Sequence, residues 1–204
     1  SLLAKAKKSS ETRQRIIDAA MKLFRERGYS NVKVIDIVKA SGIAHGSFYT
    51  YFKNKDALLG AYIGAIEELY YSRHEQLLHD PSYADRDPME KIYGFLSGSN
   101  RMLANLGKDF VRAYNAYFIL ETDLLGDHER NYFSVLNSLL EQARQRGLID
   151  PAMPNAHILS AAVALTRGTT VEWAVDETCG DISEKDHFLR EFCLYISRPS
   201  RKHG

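Results

Sequence analysis

Apolar residues recur every three or four positions along nearly the whole chain, and no stretch sustains the alternation of a β-strand. That pattern restricts the fold to helices packed on helices. From Glu11 to Arg27 the apolar stripe is Ile16, Ile17, Ala20, Leu23 and Phe24, with Ser9 or Ser10 as candidate N-cap and Gly28 as the stop. A second helix is expected at about Val34–Ser41, with Ile37 and Val38 inward, ended by Gly42. A third starts near His45 and buries Phe48 and Phe52, and a long fourth runs from about Asp56 to Leu78. After loop signals between Asp80 and Pro88, helices are expected over 88–105, 108–121, 127–147, 155–177 and 184–197. Gly107, Gly126, Gly147, Pro151, Pro154 and Gly180 punctuate them.

The net charge of +1 argues against a polyanion partner, but its distribution reverses that. Residues 1–60 hold twelve Lys and Arg against five Asp and Glu, a balance of +7; residues 61–204 carry −6. A basic head on an acidic body is the asymmetry expected when one part meets nucleic acid and the other does not. Two cysteines, Cys179 and Cys193, form no CxxC, which reads as a reducing, cytoplasmic setting without structural zinc. No apolar run approaches the ~18 residues that span a bilayer.

The second and third helices are joined only by Ser41-Gly42-Ile43-Ala44. Ile37, Val38, Ile43 and Phe48 are spaced to pack the pair across that turn, which is the spacing of a helix-turn-helix. In such a motif the N-terminal residues of the second helix face base edges. Here they are Ala44, His45, Gly46 and Ser47. One helix has one buried stripe. Phe48 and Phe52 occupy it, so Tyr49, Thr50 and Tyr51 cannot all face inward. Tyr49 and Tyr51 suit phosphate contacts through their hydroxyls, and Lys53 and Lys55 add charge beside them.

From Thr12 to about Leu59 the chain resembles the N-terminal domain of TetR-family transcriptional repressors. The matching residues are Ile16-Ile17-Asp18-Ala19-Ala20, Leu23-Phe24, Gly28-Tyr29, Asp36-Ile37, Gly42-Ile43, Gly46 to Phe52, and Lys55 to Leu59. The resemblance implies an all-α fold of about nine helices: a three-helix DNA-binding head over 9–55, and a larger ligand-binding and dimerisation domain over 56–198. It implies backbone contacts from Tyr49 and Tyr51, a phosphate contact from Lys55, and base-facing His45 and Ser47. Two positions depart from the family's pattern. Lys33 stands where a Thr is usual before the second helix, so it can reach a phosphate but cannot cap. Ala44 stands where Ser or Thr often opens the third helix.

In the body, Phe110, Tyr114, Tyr117 and Phe118 recur at helical spacing, with Phe133 in the next helix. A ligand-responsive regulator needs an apolar cavity with a few polar anchors. The candidate lining is Phe95, Tyr114, Asn115, Tyr117, Phe118 and Phe133, suited to a mostly apolar effector with one polar end. The helix over 156–175 is rich in small residues and apolar nearly all round, so it is buried on two sides or packs on a twin. With the helix over 184–197 it forms the expected homodimer interface, in which Leu165, Trp173, Phe188 and Phe192 are the candidates. Arg167 interrupts that run and is expected to pair with Glu172 or Asp176, or to meet an acidic ligand. No catalytic, metal or cofactor site is expected: Glu67, Glu68, Glu121 and Asp123 lack a histidine partner, His74 and His79 read as solvated, and phosphate-loop, GxSxG and HExxH motifs are absent. The expectation is a ligand-responsive repressor that binds a palindromic operator as a homodimer, effector shifting its spacing through the fourth helix. The alternative is a helical enzyme or carrier that keeps the head as a structural domain.

Overall fold

The computed structural model describes residues 2–120 and 125–197, so Glu121, Asp123 and the expected end of the second domain at 198 lie outside the described residues. It is all helix; no strand occurs among the described residues. The helices are α1 (Leu2–Arg27), α2 (Val34–Ser41), α3 (His45–Tyr51), α4 (Ala57–Leu78), α5 (Pro81–Ala84), α6 (Pro88–Ala104), α7 (Lys108–Leu120), α8 (Leu125–Gln145), α9 (Asn155–Val175) and α10 (His187–Ser197). A 3-10 turn, Tyr29–Asn31, joins α1 to α2, and another, Ile182–Lys185, precedes α10.

The chain divides into two compact units. The first holds the described residues up to Ile66 together with 106–120. Its core is the expected stripe of α1, with Ile16, Ile17, Ala20, Leu23 and Phe24 buried, joined by Ile37, Val38, Phe48, Phe52, Leu58 and Leu59. Each such side chain contributes about 1.5–3 kcal/mol on leaving water. α1 begins at Leu2, nine residues before the expected start at Glu11. Ser9 and Ser10 do not cap it, because Leu, Ala and Lys upstream are strong helix formers and carry the helix through them.

α7 belongs to this first unit, although its aromatic stripe alone would place it in the body. Phe110 is buried, its ring centroid 6.4 Å from both Phe24 and Tyr29 and 6.2 Å from Tyr62. Beside it, the Asp109 carboxylate accepts from the Ser30 amide at 3.0 Å and from the Ser30 hydroxyl at 2.9 Å. The first turn of α7 thus ties down the connection between α1 and α2.

The second unit holds residues 67–105 and the described residues from 125 onward. Its core is Tyr71, Ile92, Phe95, Leu96, Tyr132, Val135, Leu136, Leu139, Leu140, Ile158, Ala162, Leu189, Phe192 and Ile196. α6 starts with Pro88 at its first position and Asp87 as N-cap, accepting from the Met89 amide at 2.7 Å. Lys91 is buried, and its ammonium is satisfied by the Ala84 carbonyl and the Gln142 side chain, both at 3.0 Å. No described helix is long and apolar enough to cross a membrane.

Candidate nucleic-acid interface

Gly42 makes the turn between α2 and α3, at φ 66°, a left-handed conformation that disfavours any side chain. α3 then starts without a side-chain cap, as Ala44 requires. α2 is capped from the other end of its first turn. Asp36, three residues in, accepts from the Lys33 amide at 2.9 Å, so the Lys33 side chain is left exposed at the head's surface.

Along α3 the division of faces follows the sequence. Phe48 and Phe52 are buried, with ring centroids 5.9 Å apart. Ala44, His45, Gly46 and Tyr49 are exposed, Ser47 and Tyr51 half-buried. Tyr49 is 54% exposed, yet its ring is braced edge-on, 5.3 Å from Phe48 and 6.0 Å from His45. An exposed phenol on a braced ring is a donor held at low entropic cost. The first turn of α3 adds little bulk: a side chain built on Gly46 would meet nothing within 4 Å.

Lys55 is placed differently from a free phosphate arm. Its ammonium donates to the carbonyls of Tyr29 and Val32, both at 3.0 Å, and lies 4.0 Å from the Tyr29 ring. Burial lowers its pKa below the ordinary lysine value, opposed by the carboxylates of Asp56 and Asp109. The Tyr29 hydroxyl in turn donates to Asp56; burial first, then Asp56, holds that phenol above its usual range. Sequence reasoning missed this network. Its only signal was Gly28-Tyr29 recurring near an Asp and a Lys twenty-six or more residues away, which periodicity does not register.

Residues 16–62 match the family of bacterial regulatory proteins of the tetR type. Over that N-terminal segment the chain is similar to the TetR family. The regulator AcrR of Shigella flexneri is 42% identical over 50 residues, 24% of this chain, and the chain spans only 23% of that relative. The fatty acid metabolism regulator protein of Bacillus subtilis is 27% identical over 137 residues, covering 66% of this chain and 69% of the relative. Among solved structures, the Thermus thermophilus FadR repressor in complex with lauroyl-CoA superposes with a TM-score of 0.67 at 21% identity, covering 94% of this chain and 99% of that one. That last likeness is one of fold. TetR-family regulators bind DNA and are not enzymes.

The remaining expected residues separate in the TetR fold of this chain. Tyr114, Asn115, Tyr117 and Phe118 lie on α7 in the first unit, where Tyr114 and Phe118 stack at 6.0 Å and the Asn115 amide donates to the Val111 carbonyl. Phe95 and Phe133 lie in the second. Phe95 is fully buried in an aromatic nest, its centroid 5.8 Å from Tyr70, 6.0 Å from Tyr71, 5.1 Å from His74 and 5.2 Å from Tyr132. His74 is therefore not the solvated surface residue its sequence context suggests. It is half-buried, 4.4 Å from the Tyr70 ring, and burial lowers its pKa below 6.5. Also on α6, Asn100 is 1% exposed, and its amide nitrogen has no hydrogen-bond partner among the described residues.

On α9 and α10 the apolar groove is open. It measures about 710 Å³ and is lined by Ala161, Ala164, Leu165, Gly168, Thr169, Glu172, Phe188, Glu191, Phe192 and Tyr195. Phe188 is 40% and Tyr195 60% exposed. Leu165 and Phe192 are in the groove wall. Trp173 instead lies inside its own unit, buried, with its indole N–H donating to the Gly180 carbonyl at 3.2 Å. Its bulk and apolarity gave no hint that the carbonyl of Gly180, beyond the end of α9, would claim it. Asp176, one of the partners considered for Arg167, accepts from Lys185 at 2.8 Å, which draws its carboxyl well below the usual range. Cys193 is buried, its thiol pushed up to about 12 by burial, consistent with a packing role.

Proposed function

We propose that this chain is a ligand-responsive repressor of the TetR family that binds a palindromic operator as a homodimer. One observation carries the reading: α3 buries Phe48 and Phe52 while turning His45, Gly46 and the braced Tyr49 outward beside a basic head. On that reading 9–55 is the DNA-binding domain and 56–198 the ligand-binding and dimerisation domain. Lys33, Tyr49 and Tyr51 grip the backbone. Ala44, His45, Gly46 and Ser47 meet base edges, and Lys55 has one remaining N–H to offer a phosphate.

The open groove on α9 and α10 supports a second copy as partner, with Leu165, Phe188 and Phe192 in the contact. Two-fold symmetry would then set two recognition helices about 34–36 Å apart. The effector reading rests on the aromatic residues proposed from sequence. It gains from the unpaired Asn100 amide buried on α6, because a buried donor is satisfied by an acceptor on a ligand's polar end. That the FadR relative binds lauroyl-CoA supports a mostly apolar effector here. Such a ligand shifts the population away from the conformer that fits adjacent grooves.

The test is a gel shift of the purified chain against the DNA flanking its own gene, with a melting-temperature screen of small molecules run in parallel. Specific retardation, relieved by a compound that raises the melting temperature, is expected. A chain that retards no duplex at any salt concentration would sink the reading.

A further inference from the structure

The part of α1 upstream of the apolar stripe has no task in that reading. Residues 3–11 are all exposed, Leu3 at 84%. A helix buries a stripe when it packs against its own chain; this segment buries none, so its sequence answers to something outside the protomer.

The charges are arranged rather than scattered. Lys5, Lys8, Thr12 and Arg15 follow each other at intervals of three, four and three, which places them on one face of the helix. Lys5, Lys8 and Arg15 are exposed. Lys7 falls on the other side, four residues before Glu11, the lone carboxylate between residues 3 and 12. The segment is also anchored at the recognition helix. The Arg13 guanidinium lies 5.1 Å from the centroid of Phe52, the residue that ends α3 immediately after Tyr51. From Lys5 to Arg15 is ten residues, about 15 Å of helix. Phosphates follow one another at about 3.4 Å of axis along a single strand, so the stripe spans about four of them.

Resting on the DNA-binding reading, we infer that the Lys5–Lys8–Arg15 face of α1 is a second grip on the DNA backbone, outside the helix-turn-helix, against phosphates flanking the bases that α3 meets. It adds affinity and salt dependence without adding sequence preference.

The test compares the full chain with the Lys5→Ala/Lys8→Ala/Arg15→Ala variant on a random-sequence 30-bp duplex and on a duplex selected by the wild type from a random library. Fluorescence anisotropy is read from 50 to 200 mM salt. Three lost phosphate contacts flatten the log–log salt slope by about 2.7 per protomer, so the affinity lost between 50 and 200 mM becomes about 40-fold smaller. Both duplexes should show the same change. The Lys5→Arg/Lys8→Arg variant should keep the wild-type slope, and Lys7→Ala should leave it unmoved. All substituted side chains are exposed, and circular dichroism confirms the helix content. An unchanged slope in the triple variant, with wild-type binding intact, overturns the inference and leaves the repressor reading standing. An equal loss from Lys7→Ala overturns it too, assigning the effect to net charge. Loss of binding to phosphatidylserine vesicles with the DNA slope unchanged would give the face to lipid. A wild type that binds neither duplex removes the repressor reading and this inference together.

Discussion

The ammonium of Lys55 has three N–H donors, and two are spent on the carbonyls of Tyr29 and Val32. Those carbonyls belong to the connection between α1 and α2, so the side chain stiffens the head before it can touch DNA. Lys55→Met keeps most of the packing and removes the donors. It should lower stability by about 1–3 kcal/mol, read as a shift in the urea midpoint, because hydrogen bonds to a charged group are lost and two carbonyls are left unpaired. Its salt slope should flatten by no more than one unit. A variant of wild-type stability would mean that water replaces the ammonium at no cost. The exposed residues of α3 divide by role. On the proposed reading Tyr49→Phe deletes a hydroxyl that meets the DNA backbone and should weaken all duplexes equally, whereas His45→Ala should change preference at one or two base pairs in a selection experiment. Uniform weakening by His45→Ala would make His45 a phosphate contact. The outward placement of His45 and Tyr49 was legible in sequence because one helix has one buried face. The tethering of Lys55 was not, since its partners are backbone atoms, which every residue type carries.

At the scale of elements, α2, α3 and α7 lie where the turn glycines and the apolar stripes put them, and α1 starts earlier than its stripe. Periodicity states that a face is buried but not against what. The aromatic stripe of α7 was therefore open to more than one use, and Phe110 at its start completes the head core beside the Asp109–Ser30 clamp. The same ambiguity hid the nest at the C-terminal part of α4, where Tyr70, Tyr71 and His74 surround Phe95. His74 there gives the second unit a pH dependence. Burial holds its folded pKa below the unfolded value near 6.5, with Arg73 adding to the effect and the Tyr70 carbonyl opposing it. As pH falls through 6.5, the unfolded chain takes up a proton that the folded chain refuses. This contribution to stability is therefore full above that pH, falls until the lower folded pKa is reached, and is level below it. His74→Gln should lose less thermal midpoint than the wild type between pH 7 and pH 5. Parallel curves would show that His74 titrates alike in both states.

At the scale of the whole molecule, α9 and α10 leave Val171, Val175, Phe188, Leu194 and Tyr195 exposed, and the proposed second copy is what would cover the groove between them. Gly168 allows a clean test of that assembly. It lines the groove, and a side chain built on it meets nothing within 4 Å in its own protomer. A glycine in mid-helix costs about 0.8–1 kcal/mol relative to alanine, so its presence midway along α9 works against the protomer's own stability. In a dimer whose helices approach closely at that point, the missing side chain is what permits the approach. Gly168→Leu should therefore act oppositely at the two levels. The protomer should keep or gain helix by circular dichroism, because a Cβ there meets nothing and leucine is a far stronger helix former than glycine. The dimer should dissociate at least tenfold more readily in sedimentation velocity, because the new side chain occupies space the partner needs. Phe192→Glu is a poorer probe, since Phe192 is also part of the core and the buried carboxylate would disturb folding itself. Gly168→Ala should fall between, its single methyl weakening association less than leucine does. If Gly168→Leu remained as dimeric as the wild type, the groove would not be the contact, and the two recognition helices would be held at their operator spacing by some other face.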